Sequence, residues 1–147
     1  MGAPGLYWAL KSRFVDYVSR MPDGTIDASG VTAGAVRAFH FAPDEGTAHP
    51  DVRRFRGHVQ FVGHAGFLRV RLEDPALRRT SDDGALLTVR DAIGGARIDL
   101  VQLRLVPGPD DALTRGVDVR LLSTAVDLFG GSYPVDEPFD DLVILRS

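Results

Sequence analysis

Phe55-Arg56-Gly57-His58-Val59-Gln60-Phe61, followed after Val62-Gly63-His64-Ala65-Gly66 by Phe67-Leu68-Arg69-Val70-Arg71-Leu72-Glu73, decides the fold class. In the first run Phe55, Val59 and Phe61 alternate with Arg56, His58 and Gln60. In the second, Leu68, Val70 and Leu72 alternate with Arg69, Arg71 and Glu73. A period of two puts successive side chains on opposite faces, so both runs read as half-buried strands. The glycine-containing break predicts a hairpin, with Gly63 and Gly66 supplying the unusual backbone angles.

The same reading extends in both directions. Downstream, Asp74-Pro75 predicts a turn. Leu86–Ile93 and Arg97–Val106 read as two strands around Gly94-Gly95, and Pro107-Gly108-Pro109-Asp110-Asp111 as a loop. Gly116–Leu121 reads as a strand, Leu122–Leu128 as a short helix, Gly130-Gly131-Ser132 as a turn, and Leu142–Leu145 as a closing apolar strand. Upstream, Ala42–Pro50 is loop-like, and Val36–Phe41 and Thr25–Ala28 are short strand candidates. Residues 6–20 predict an amphipathic helix, because Leu6, Leu10, Phe14 and Val18 recur every fourth residue. Met21-Pro22-Asp23-Gly24 ends it, since proline cannot continue a helix and Asp-Gly favours a turn. One N-terminal helix, about eight short antiparallel strands and one short C-terminal helix predict a mainly β, sandwich-like fold. No internal repeat or linker interrupts residues 1–147, so a single domain is expected.

Composition narrows the function classes. Of 147 residues, 44% are apolar and 25% charged, enough for one hydrophobic core. The net charge is −3, which lacks the cationic surplus that non-specific nucleic-acid binding needs. There is no cysteine, so disulfides, thiolate catalysis and cysteine-ligated metals are excluded. No apolar run is long enough for a membrane-spanning helix. The start, Met1-Gly2-Ala3-Pro4-Gly5, has no basic segment followed by an apolar one, so the expectation is a cytoplasmic protein. A secreted or surface protein trimmed of its leader is the alternative. Lys11 is the only lysine among 17 Lys and Arg residues, a bias that fits a GC-rich genome.

Familiar catalytic motifs are missing. There is no Gly-x-Ser-x-Gly elbow and no phosphate-binding loop. Of His40, His49, His58 and His64, only the last two are close in sequence, and six residues of strand separate them by roughly 20 Å. The pairs Asp82-Asp83, Asp110-Asp111 and Asp140-Asp141 lie near Gly or Pro and read as solvated turns. Arg53-Arg54-Arg56 and Arg78-Arg79 read as solvated rims that can pair with a carboxylate ligand.

Three segments remain unexplained by composition. They are Trp8-Ala9-Leu10-Lys11-Ser12-Arg13-Phe14-Val15-Asp16-Tyr17, then Phe61-Val62-Gly63-His64-Ala65-Gly66-Phe67-Leu68, then Phe129-Gly130-Gly131-Ser132-Tyr133-Pro134 with Pro138-Phe139-Asp140. Together, in this order and with Asp74-Pro75 between, they resemble the HtaA-type haem-binding domain of bacterial haem-acquisition proteins. The resemblance runs from Trp8 to about Leu145, nearly the whole chain. Arg13 stands between Ser12 and Phe14, where the family pattern has the serine next to the phenylalanine. Family members are usually secreted or surface-anchored and often carry the domain repeatedly.

The resemblance implies that Tyr17 is the axial ligand of ferric haem b, that His64 hydrogen-bonds Tyr17, and that Tyr133 lines the pocket. Tyrosine is among the side chains that hold haem iron. A free phenol ionises near pH ~10, and ferric iron favours the phenolate. An imidazole hydrogen-bonded to that oxygen would orient the ring and tune its basicity. A porphyrin is a flat hydrophobe with two carboxylates, so Trp8, Phe14, Phe61, Phe67 and Phe129 are candidate walls. Ser12 or an Arg is the candidate partner of the propionates. The expected function is haem uptake, trafficking or storage without catalysis, in exchange with other haem-transfer proteins. The alternatives are a haem-dependent or haem-degrading enzyme and an interaction module that has lost haem. Residue by residue, blander readings stand beside these. Tyr17 can be a rim residue of the core, His64 a hairpin-tip residue, and Tyr133 an ordinary turn aromatic.

Overall fold

The structure, a computed structural model, describes residues 3–30, 38–44, 49–91 and 95–146. Its strands are β1 (Gly5–Trp8), β2 (Thr25–Ala28), β3 (Phe39–Pro43), β4 (Val52–Arg56), β5 (His58–Gly63), β6 (Leu68–Arg79), β7 (Gly84–Arg90), β8 (Arg97–Pro107), β9 (Leu113–Leu121) and β10 (Leu142–Leu145). Helix α1 spans Ser12–Arg20, and 3-10 turns cover His64–Gly66 and Ser123–Phe129.

Among the described residues the pairing order is β2-β5-β6-β4-β3-β1-β10-β9-β8-β7, and β7 also pairs with β6. That last ladder closes eight strands into a barrel, with β2 and β5 as an added flap. The expected sandwich is thereby corrected to a barrel: alternation reports which face of a strand is buried but not whether its sheet closes on itself. The long strand β6 makes both parts possible. Its first half pairs with β5, from Gly63 opposite Leu68 to His58 opposite Glu73. Its second half pairs with β4 through Arg54 opposite Ala76 and with β7 through Thr88 opposite Ala76.

Several expected boundaries move. Residues 55–61 are not one strand: Gly57, at φ 131°, separates β4 from β5 and sends them to different parts of β6. Asp74-Pro75 is not a turn but a bulge inside β6, where Asp74 has φ 47°. Its backbone N–H donates to the Gly57 carbonyl at 2.8 Å and its carboxylate accepts the Gly57 N–H at 3.1 Å. Residues 6–8 belong to β1 rather than to a helix. Leu6 and Trp8 are buried on one face, and Leu10, at φ 63°, breaks the backbone before α1. Of the Val36–Phe41 strand, residues 36–37 lie outside those described, as do 45–48 of the loop and 92–94 of the stretch around Gly94-Gly95. The short C-terminal helix appears as the 3-10 segment Ser123–Phe129.

Buried side chains form one core, in which Leu87, Leu100, Leu121 and Ile144 from the barrel join Val18 of α1 and Phe61 of β5. On α1, Phe14, Val15 and Val18 face inward. The helix packs on β2 and β5, so it covers the flap.

Candidate functional site

Helix α1 has no acidic residue in its first turn and no capping side chain of its own. Asp140 supplies both from the far end of the chain. Its carboxylate accepts the Ser12 backbone N–H at 3.1 Å and also the Ser12 hydroxyl. A negative charge at a helix N-terminus meets the positive end of the helix dipole. The Trp8 indole N–H donates to the Asp140 carbonyl at 2.8 Å. Lys11 reaches the same segment, bonding the Pro138 carbonyl at 2.8 Å and pairing with Glu137 at 2.9 Å. Thus the helix start and residues 137–140 are bound as one unit. The reading of Asp140-Asp141 as a solvated turn is corrected for Asp140 and holds for Asp141, which is exposed and lies 3.5 Å from the equally exposed Arg115.

This attachment fixes the angle at which α1 crosses the flap. Three residues beyond Phe14, Tyr17 stands on the rim of the buried face and is 51% exposed. Its hydroxyl lies 2.6 Å from Nε2 of His64, with ring centroids 5.8 Å apart. His64 comes from the connection between β5 and β6, which is tighter than expected. Gly63 is extended, and the positive φ values fall instead on His64 (50°), Ala65 (56°) and Gly66 (90°). Two non-glycine residues in that region are costly, so something must hold them. Asp23 does: its carboxylate accepts the Ala65 N–H at 2.6 Å. That bond, above all, keeps the Asp23 carboxyl below its ordinary range, with the backbone and charge of His64 adding to the effect. At Gly63 the Met21 side chain packs closely on the flap: a Cβ there would stand 2.4 Å from the Met21 sulfur, and the flexible end of that side chain would have to move aside. The turn after α1 and the tip of the flap are therefore clasped together, and Tyr17 and His64 face each other across the clasp.

The remaining expected residues divide into two layers. Trp8, Phe14, Phe61 and Phe129 are all buried in the core beneath the pair. Phe14 meets Phe61 edge-on at 4.9 Å and Phe129 at 5.6 Å. Tyr133 is half-buried, packed against Phe129 at 6.0 Å and Phe139 at 6.2 Å, with the Lys11 ammonium 5.3 Å from its ring. Its phenol is pushed above the ordinary tyrosine range, first by burial and then by the negative charges of Glu137 and of Tyr17 when ionised. Phe67, next to the flap tip, is 94% exposed. Ser12 is engaged by Asp140. Asp23 and Glu137 were missed by sequence reading, and Lys11 and Asp140 stood in the first and third segments without a role of their own; the partners of all four are remote in the chain.

The chain matches the HtaA (Htaa) family model over residues 4–144. No curated protein matches it by sequence. Its fold is similar to the crystal structure of the C-terminal domain of HtaA from Corynebacterium glutamicum, with a TM-score of 0.69 and 17% identity, covering 95% of this chain and 92% of that one. It is also similar to the heme binding protein HtaB from the same organism, with a TM-score of 0.72 and 16% identity, covering 95% and 90%. A domain-swapped dimer of a histidine-to-alanine variant of the HtaA C-terminal domain gives 0.64 and 16%, covering 95% and 94%. At these identities the likeness is one of fold.

Proposed function

Because this chain belongs to the HtaA family, we propose that it binds ferric haem non-catalytically, with Tyr17 as axial ligand, and serves in haem uptake, trafficking or storage. The observation that carries the reading is the exposed phenol of Tyr17 at 2.6 Å from Nε2 of His64. The donor set fits the group: an exposed phenol oxygen, an imidazole to balance its proton, and an exposed aromatic, Phe67, beside them. The name of the structural neighbour HtaB, a heme binding protein, supports the same reading.

Bound haem would supply an Fe(III) centre that favours a hard anionic oxygen. The chain's own residues then have definite tasks. Tyr17 must give up its hydroxyl proton to ligate, and Nε2 of His64 is within reach to take it. The resulting imidazolium donates back to the phenolate and steadies the ring. Tyr133 stays neutral because its phenol is harder to ionise, so it offers a neutral O–H and an aromatic edge.

The test is a hemin titration followed by absorption spectroscopy. Wild-type protein is expected to give a ferric tyrosinate-type spectrum. Tyr17→Ala should abolish it without altering the far-UV circular dichroism, because a half-exposed side chain adds little to the core. An unchanged spectrum in that variant would remove Tyr17 from the role.

A further inference from the structure

The barrel carries a second arrangement, far from Tyr17. Directly opposed residues of neighbouring strands share a face, and a row runs from Arg54 to Ala76, Thr88 and Asp99 across β4, β6, β7 and β8. In the next row Val52 opposes Arg78. Diagonal neighbours on a sheet are about 7–8 Å apart, so Arg54 and Arg78 project side by side. A cleft of about 270 Å³ opens over these rows, and Arg97 completes its lining.

Arg97 lies across the floor. Its Nε donates to the Thr88 hydroxyl at 3.0 Å, and its Nη2 donates to the carbonyls of Thr88, at 3.1 Å, and Asp74. Among the described residues its Nη1 makes no hydrogen bond, which leaves two donors on a residue that lines the cleft. Burial, then repulsion from Arg90 and Arg54, holds this guanidinium below its ordinary range, with Asp74 acting the other way. Arg90 is answered by Asp74 at 3.4 Å. Arg54 and Arg78 have no ion pair or side-chain hydrogen bond among the described residues. Asp99, the one carboxylate of the lining, stands three strands from Arg54, about 14 Å at ordinary strand spacing. Like charges side by side on a sheet cost stability, and this chain, at −3 overall, still concentrates them here.

We propose that this cleft is a binding site for a phosphate-type oxyanion, gripped between Arg54 and Arg78 and completed by Nη1 of Arg97. Two unpaired guanidinium forks match the charge of a dianion and the geometry of its oxygens. The cleft volume leaves room for a group esterified to the phosphate. Arg78 is about 30 Å along β6 from the flap tip, so this site stands apart from the haem reading.

The experiment uses the full chain without haem, in low-salt buffer lacking phosphate. Pyrophosphate is titrated by calorimetry. In parallel, phosphatidylcholine vesicles with and without phosphatidylglycerol are tested by flotation. Wild-type protein is expected to bind pyrophosphate if the source is a free phosphate, or the phosphatidylglycerol vesicles if it is a headgroup; either outcome supports the site. The double variant Arg54→Gln and Arg78→Gln should lose about tenfold or more in affinity for that probe. Arg115→Gln, on β9, should bind as wild type. Without ligand the double variant should unfold no earlier than wild type, since it relieves repulsion and breaks no bond. Binding of neither probe, or equal binding by the double variant, overturns the proposal.

Discussion

Lys11 brings a charge into the protein with only 10% of its side chain exposed, and everything around it is arranged to receive that charge. Glu137 pairs with it, the Pro138 carbonyl accepts from it, and the faces of Tyr133 and Phe139 lie 5.3 and 5.7 Å away. Replacing one member of such a set strands the other. Lys11→Ala should therefore lower stability by about 2–3 kcal/mol in urea unfolding, with Lys11→Met recovering part of the loss through packing. Tyr133 gives a pH signature in the same place. Its phenol is raised in the folded protein, so the fold prefers it neutral. That contribution is complete below the unfolded value of about 10 and is lost as pH rises through the folded value. Thermal melts above pH ~10 should fall more steeply for wild type than for Tyr133→Phe.

The His64–Gly66 connection depends on one carboxylate from another turn. Asp23→Ala removes the acceptor of the Ala65 N–H and frees two non-glycine residues from positive φ. Amide exchange at Ala65 should accelerate about tenfold or more, while the barrel amides stay unchanged. Acid should mimic the substitution. The Asp23 carboxyl is lowered on folding, so the anchor is present at neutral pH and is lost as pH falls through its folded value, below 3.8. This element also shows where sequence reading reaches its limit. The β5–β6 hairpin was legible because Val59 and Phe61 and then Leu68, Val70 and Leu72 alternate cleanly. The clasp was not, because an Asp in an Asp-Gly turn looks the same whether its carboxylate meets water or a remote amide. Residues 6–8 misled for a related reason. Leu6 and Leu10 are four apart, as a helix would have them, and the break between β1 and α1 rests on Leu10 adopting a conformation no leucine advertises. The Tyr17–His64 pairing was legible through the ordered set of motifs rather than through either residue alone.

Closure of the barrel depends on where backbones can approach. At Gly5, φ is 137° and a Cβ would stand 2.3 Å from the Phe41 carbonyl oxygen, in the seam where β1 meets β3. Gly5→Ala should cost about 3 kcal/mol, read as an earlier unfolding midpoint with an unchanged denaturant slope. The ring has a further consequence, for how copies of the molecule avoid one another. Closing β6 onto β7 leaves β2, four residues long, hydrogen-bonded to β5 alone among the described strands. An open rim of this kind is a template for a foreign strand, and short length and charge are the usual deterrents. Asp27, in the middle of β2 and 3.1 Å from His58, is that deterrent here. Asp27→Val would turn the rim into Thr-Ile-Val-Ala, and light scattering on warming should then report fibrous or amorphous growth at temperatures where the parent chain stays monodisperse.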